Sequence, residues 1–437
     1  MPAERWKKLK RSRAVAVIIA FATFCPGVGS AASYKILHSF NGADGTGPWG
    51  GVTFDQTGSL LGASASGGAG TGCSSYGCGV VFKLTQQLNG NWAATVLYSF
   101  ERNRQHGAIP YGGLTIAGGE VYGTTSRGGT YDSGTVFKLV HGATGWVETI
   151  LYNFGTHKHD GGEPTSGVAL DNAGNLYGTA RTIAFELTPG TDGWEEAVLH
   201  RFVKQGDGGG VFAGVILDAS GNLYGTTEGG GIGCVGGGCG TVYEIERTAN
   251  GWQERILHYF DNNGKDGVNP GWGTLFMDAS GSLYGTTSGG GTNLCGANGV
   301  AADLEAAQSL SGDIGNCGTV FELTKRPDGR WKETILYNFQ KGATGYSPNT
   351  GVVMDKAGNL YGTTDYGGDP SCDCGVIYKL APDAKGKWTY TVLHTFGVGN
   401  DGGVPEGNLV MDSKGNLYGG TVLGGTYGGG VVFELTP

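Results

Sequence analysis

Arg102, Arg104, His106 and Arg127 fall within one stretch of the chain, and His157, Lys158, His159 and Arg181 within the next, on a protein that is otherwise acidic. Cations grouped in this way suit an anionic ligand such as a uronic-acid polysaccharide, because an arginine fork holds a carboxylate through paired hydrogen bonds. Cleaving such a polymer by elimination needs carboxylate neutralisation and a base near the sugar C5 proton. Arg127 or Arg181, with His106, Tyr111 or His159, supply those residue types. No motif enforces the chemistry, and solvated surface charges that never converge are the plainer reading. Carboxylates for glycoside hydrolysis are present in Asp44-Gly45, Asp160-Gly161, Asp266-Gly267 and Asp401-Gly402, yet these recur as Pro-containing turn elements, and recurrence marks a structural part. Arg181, in the shortest of the loops concerned, breaks the pattern as a catalytic residue should.

A second constellation emerges when the repeated units of the chain are aligned. Trp49, Tyr111, Thr165, Phe212, Trp272, Asn349 and Glu406 then occupy one position, four of them aromatic. Rings around a channel mouth stack on sugar faces or grip apolar ligands; wedging between repeats is the structural alternative. The binding candidates are therefore Trp49, Tyr111, Phe212 and Trp272 with Arg102, Arg104, Arg127, His157 and Arg181. The catalytic candidates are His106, Tyr111, Arg127, His159 and Arg181, and no cofactor or metal is expected. His38, His200, His258 and His394 each stand where other repeats carry Tyr, and read as structural.

The repeats themselves are announced by Gly-Asn-Leu-Tyr-Gly-Thr-Thr and its degraded copies, centred on Leu61, Tyr122, Tyr177, Tyr224, Tyr284, Tyr361 and Tyr418. Their spacing of roughly 45 to 75 residues is that of a propeller blade or similar array. Each unit reads as four short strands. An apolar run ending in Asp (Gly351 to Asp355) precedes a turn and the Leu-Tyr-Gly run; an alternating run (Thr319 to Thr324) and an aromatic, β-branched run (Trp331 to Phe339) follow. Asp171, Asp218, Asp278, Asp355 and Asp412 fit Asx turns, and a calcium role for them is disfavoured because each stands alone. The chain starts with an orphan fourth strand, Tyr34 to Phe40, and stops in a third, Val431 to Thr436. The two termini are thus expected to complete one blade and remove an open edge. The fold class is all-β: a seven-bladed β-propeller of four-stranded antiparallel blades, with the N-terminal strand closing the ring. One helix is expected, over residues 301–310, inside a long loop.

The first 32 residues read as a signal peptide, with a basic head (Arg5 to Arg13), an apolar core (Ala14 to Phe24) and Ser30-Ala31-Ala32 as cleavage site. Residues 33–437 then form the propeller. Its 23 Lys and Arg against 37 Asp and Glu give a net charge of −14, which argues against nucleic acid as a partner. Eight cysteines besides Cys25 lie two per loop: Cys73 and Cys78, Cys234 and Cys239, Cys295 and Cys317, Cys372 and Cys374. Local disulfides in an oxidising compartment are expected, with zinc the weaker alternative. Cys372 and Cys374 are close enough in sequence that pairing across blades is also open.

The units Trp-x-Glu-Thr-Ile-Leu-Tyr-Asn-Phe, Gly-Asn-Leu-Tyr-Gly-Thr-Thr and Gly-Thr-Val-Phe-Glu-Leu-Thr resemble the tandem repeat of the choice-of-anchor GloVer-containing proteins, an exported bacterial family. The resemblance covers essentially all of residues 33–437 and implies export, secreted or periplasmic, with no assigned reaction. Members commonly end in a surface-sorting segment. This chain stops at Pro437 within its last strand, so no anchor or transmembrane span is expected. The functional expectation is a monomeric exported propeller that binds a carbohydrate on its loop-rich face. A polysaccharide lyase or glycoside hydrolase on that face, and a protein-interaction module of the envelope or surface, are the alternatives.

Overall fold

The repeated phrase can be read letter by letter in the computed structural model, which describes residues 32–437 except 75, 204–205, 233, 235–237, 294, 296–316 and 398. In blade three, Asp171 accepts the backbone N–H groups of Ala173 and Asn175, both at 2.8 Å, closing an Asx turn. Gly174 holds that turn at φ +91, where a side chain would be strained. The Asn175 amide and the Tyr177 hydroxyl donate to the other Asp171 oxygen, and Tyr177 also reaches Glu186 of the next strand. Leu176 is fully buried. A Cβ on Gly178 would lie 2.7 Å from Phe185, so only glycine lets that ring cross the strand. Thr179 donates to the Ala213 carbonyl of the following blade at 2.9 Å. The same Asp contacts recur at Asp218, Asp355 and Asp412, and the turn itself at Asp278.

These units form seven four-stranded antiparallel sheets. From inside outward, blade one is Val52–Phe54, Leu60–Ser64, Val80–Gln86 and Trp92–Ser99. Blade seven takes Val410–Met411, Leu417–Thr421 and Val431–Thr436 from the end of the chain, and Ser33–Ser39 from its start. The closing pair runs antiparallel from Ser33 opposite Thr436 to Ser39 opposite Val431. In all seven blades the outermost pair carries one register shift, as between Ile36 and His38 or between Val136 and Phe137. This recurrent bulge bends the outer strand over its neighbour, and the alternation of the sequence did not signal it. The buried apolar side chains gather into seven clusters, each lying between two adjacent blades. The architecture is a seven-bladed β-propeller.

The outer joints between blades are polar, and they use the histidines and the Asp-Gly elements. His38 faces Asp44 at 2.9 Å, and His200, His258 and His394 face Asp207, Asp266 and Asp401 at 3.2 Å. At the second-to-third joint Tyr152 takes the histidine's place and donates to Asp160. At the first-to-second joint His106 occupies the Asp position, between Tyr98 and Glu148.

Lateral ties on one face show which loops share it. In six of the seven blades the connection entering the blade pairs with its second-to-third-strand loop, as Gly107–Ala108 with Arg127–Gly128, Gly267–Val268 with Gly289–Gly290 and Gly402–Gly403 with Leu423–Gly424. The cysteines pair within those loops: Cys73 with Cys78, Cys234 with Cys239, Cys295 with Cys317, and Cys372 with Cys374. The pairing of Cys372 with its near neighbour settles the choice left open by sequence against a bridge between blades. Among the described residues no helix is long and apolar enough to cross a membrane. The expected helix at 301–310 and residues 1–31 of the expected leader lie outside the described residues.

Candidate functional site

A pocket of about 230 Å³ is lined by residues of all seven blades, and so lies on the ring axis. Its wall contains every member of the aligned set: Trp49, Tyr111, Thr165, Phe212, Trp272, Asn349 and Glu406. They converge because each follows the same turn at the entrance to an innermost strand. The residue two or three positions earlier is left-handed in each blade, as Gly47 at φ +62, Ile109 at +61, Glu163 at +50 and Asn269 at +57. In six blades its N–H is tied to the preceding blade, Gly47 to the Gly429 carbonyl, Glu163 to that of Ser133, and in four to a cysteine: Ile109 to Cys78, Asn269 to Cys239, Ser347 to Cys317 and Val404 to Cys374. The second cysteine of each bridge therefore holds the joint from which a pocket residue springs.

The pocket floor is peptide backbone drawn together by glycines. A Cβ on Gly50 would meet the Gly112 carbonyl at 2.4 Å, one on Gly167 the Gly113 carbonyl at 2.3 Å, and one on Gly407 the Gly51 nitrogen at 2.3 Å. Above it stand two aromatic walls. Trp49 and Tyr111 meet edge to face, with centroids 6.0 Å apart, on blades one and two. Phe212 and Trp272 stack at 4.8 Å with planes 7° apart, on blades four and five, nearly across the ring. Trp49 and Trp272 remain 39% and 44% exposed, so neither is a wedge between blades. Thr165, Asn349 and Glu406 fill the gaps with polar groups.

Glu406 has a buried neighbour that sequence reasoning passed over. Asp365, which follows the second strand of blade six, is 5% exposed, and its Oδ1 has no hydrogen-bond partner. Burial pushes its carboxyl well up from the ordinary range; the nearby charge of Glu406 adds to this, and the Asn349 side chain partly offsets it. Burial raises Glu406 as well. The available signal was the aligned position itself: Asp365 and Glu228 are acids and Arg181 a base where the other four blades carry Ala65, Ser126, Ser288 and Val422.

The basic candidates lie elsewhere, and Arg102, His106, Arg127 and Arg181 are matched with acids. Arg127 and Arg181, from adjacent blades, do converge, but on one carboxylate: both donate to Glu163, Arg181 at 2.6 Å. Arg102 grips Asp132 through two nitrogens and holds that carboxyl below its ordinary range. His106 sits 2.8 Å from Glu148. Arg104 and His157 are exposed, and the His159 carbonyl accepts from Arg201. None of these residues, apart from Tyr111, lines the axial pocket. One group among the described residues has donors placed for a metal: His258, Asp266 and Glu333, within 4.8 Å of one another. It is the fourth-to-fifth instance of the outer joint, and its histidine–carboxylate pair recurs at His200 and Asp207.

A family model described as the Gloeobacter/Verrucomicrobia repeat matches residues 27–182 and 306–437, well over half of the chain. No curated protein matches the chain. Among solved structures, a fungal alcohol oxidase of the AA5 family in complex with copper superposes with a TM-score of 0.53 at 14% identity, covering 93% of this chain and 76% of its own. A putative oxidoreductase (glucose dehydrogenase) from Thermus thermophilus gives 0.42 at 15% identity, covering 93% of this chain and 100% of its own. At such identities the first likeness speaks to fold alone.

Proposed function

Since the chain belongs to the Gloeobacter/Verrucomicrobia repeat family, we propose that it is an exported propeller that binds a carbohydrate in the axial pocket of its loop-rich face. One observation carries the reading: the two aromatic walls, Trp49 with Tyr111 and Phe212 with Trp272, flank a pocket whose remaining ring positions are polar. Sugar rings offer apolar faces for stacking and rims of hydroxyls for hydrogen bonds, and this lining complements both. At about 230 Å³ the pocket is below the roughly 300–1,000 Å³ of drug-sized sites, so it takes a terminal or single ring and not a polymer segment. Export is supported by the basic head and apolar core of the first 32 residues and by cysteines paired in four local bridges.

A glycan microarray probed with residues 33–437, followed by calorimetric titration of the best hit, tests this. Binding is expected to saturate at one site and to weaken about tenfold in Trp272→Ala, the loss of one stacking wall being worth roughly 0.5–1.5 kcal/mol beyond area burial. An array without hits, or hits indifferent to Trp272→Ala and Trp49→Ala, would count against it. The lyase and protein-module readings have no observation in their favour.

A further inference from the structure

The axial pocket has a charge opposite to the one the basic residues led us to expect. Among the described residues Glu406 is the one acid in its lining, and no Lys, Arg or His lines it. Beside the turn that carries Glu406 lies Asp365, a side chain more than nine-tenths buried with Oδ1 unpartnered; a Cβ on Gly375 would meet both the Asp365 carbonyl and the Pro405 ring at 3.0 Å. Beside the opposite wall Glu228 is half-buried: a Cβ on Gly210 would lie 3.1 Å from the Phe212 ring and 3.5 Å from the Glu228 carboxylate. None of these three acids forms an ion pair among the described residues. Burying carboxyls together without a counter-charge is costly. Aromatic faces add their own negative potential, which favours a cation in front of them.

We infer that the pocket's ligand is an amino sugar: a hexosamine ring between the aromatic walls whose free ammonium group meets Glu406, with Asp365 beside it. This rests on the carbohydrate reading above and narrows it. The ammonium supplies the missing counter-charge and three donors for the carboxyl oxygens, while the ring edge meets Thr165 and Asn349. Burial raises both carboxyls, and the charge of Glu406 adds to the push on Asp365; an ammonium beside them acts in the opposite direction and favours the carboxylate form.

The test is calorimetric titration of residues 33–437 with glucosamine oligomers, their fully N-acetylated counterparts, oligouronates, a lysine peptide and calcium chloride. The same titrations are made on Glu406→Gln and Asp365→Asn, with folding checked by thermal melting. The expected result is that glucosamine oligomers bind at least tenfold tighter than the acetylated ones, and that Glu406→Gln removes this difference while weak binding of the acetylated oligomers persists. A charge-assisted hydrogen bond of roughly 1.5–3 kcal/mol corresponds to that range. Equal binding of both oligomers overturns the amine and leaves the carbohydrate reading in place. Equal binding of the lysine peptide, or calcium binding lost in Glu406→Gln, overturns the amino sugar in favour of a bare ammonium or a metal ion. Binding of no glycan overturns the carbohydrate reading too. Should both variants fail to fold, the comparison of free and acetylated oligomers on the unaltered protein decides alone.

Discussion

Trp272 and Trp49 are large apolar side chains left substantially open to solvent at the centre of a molecule whose other rings are mostly buried. Their removal therefore leaves no core cavity. Trp272→Ala is expected to cost stability about the roughly 0.5–1.5 kcal/mol of its stack on Phe212, well short of a core truncation, while ligand affinity falls; scanning calorimetry beside the titration separates the two. Contrast Phe185, fully buried against Gly178: Phe185→Ala is expected to cost about 3–5 kcal/mol, read from chemical denaturation. The arginines teach a different lesson at this scale. Arg127 and Arg181 were legible as cations and as neighbours, because adjacent repeats bring equivalent loops together. Their neutralisation by Glu163 was not, because that carboxylate comes from the pre-proline position of a third segment.

At the scale of the element, the outer joint between blades is a recurring polar clasp with unequal members. Between blades three and four, Glu254 lies beside Asp207, and burial with that neighbouring charge pushes its carboxyl up to about 7. Between blades four and five, Glu333 beside Asp266 is pushed up further for the same reasons. A carboxyl whose folded pKa exceeds its unfolded value binds more protons in the folded state, so its contribution is fully present at acid pH below about 4.3 and declines as pH rises through the folded pKa. Melting temperature is thus expected to fall from pH 5 to pH 9. Glu254→Gln and Glu333→Gln should flatten that slope, by on the order of 1 kcal/mol each after solvent screening; a pH series of melts on the three proteins checks it. The disulfides act at the same scale. A bridge spanning 22 residues, Cys295–Cys317, is worth roughly 3 kcal/mol in the chain-entropy account and the five-residue bridges roughly 2. Reduction is expected to lower the denaturation midpoint and, because Cys78, Cys239, Cys317 and Cys374 hold the turns that carry pocket residues, to weaken ligand binding before global unfolding.

The whole molecule depends on a seam. Ser33–Ser39 completes blade seven, and Tyr34 stacks on His394 of blade six at 3.8 Å, so the first strand ties two blades at once. Deleting residues 33–40 is expected to leave Val431–Thr436 as an open edge, to replace one cooperative melt by a lower, broader one, and to produce concentration-dependent association in sedimentation velocity. An unchanged melt would show that the seam is dispensable. Blade number, blade order, the seam and the seven residues of the axial ring could all be read along the chain, because a propeller maps equal offsets in each repeat onto equal radii around one axis. What the alignment could not reveal is how side chains at unequal offsets meet: Asp365 beside Glu406, Glu163 between two arginines, Glu333 beside Asp266. Those contacts cross joints between blades, where reach and burial, not spacing in sequence, decide which charge is answered and which is left facing the pocket.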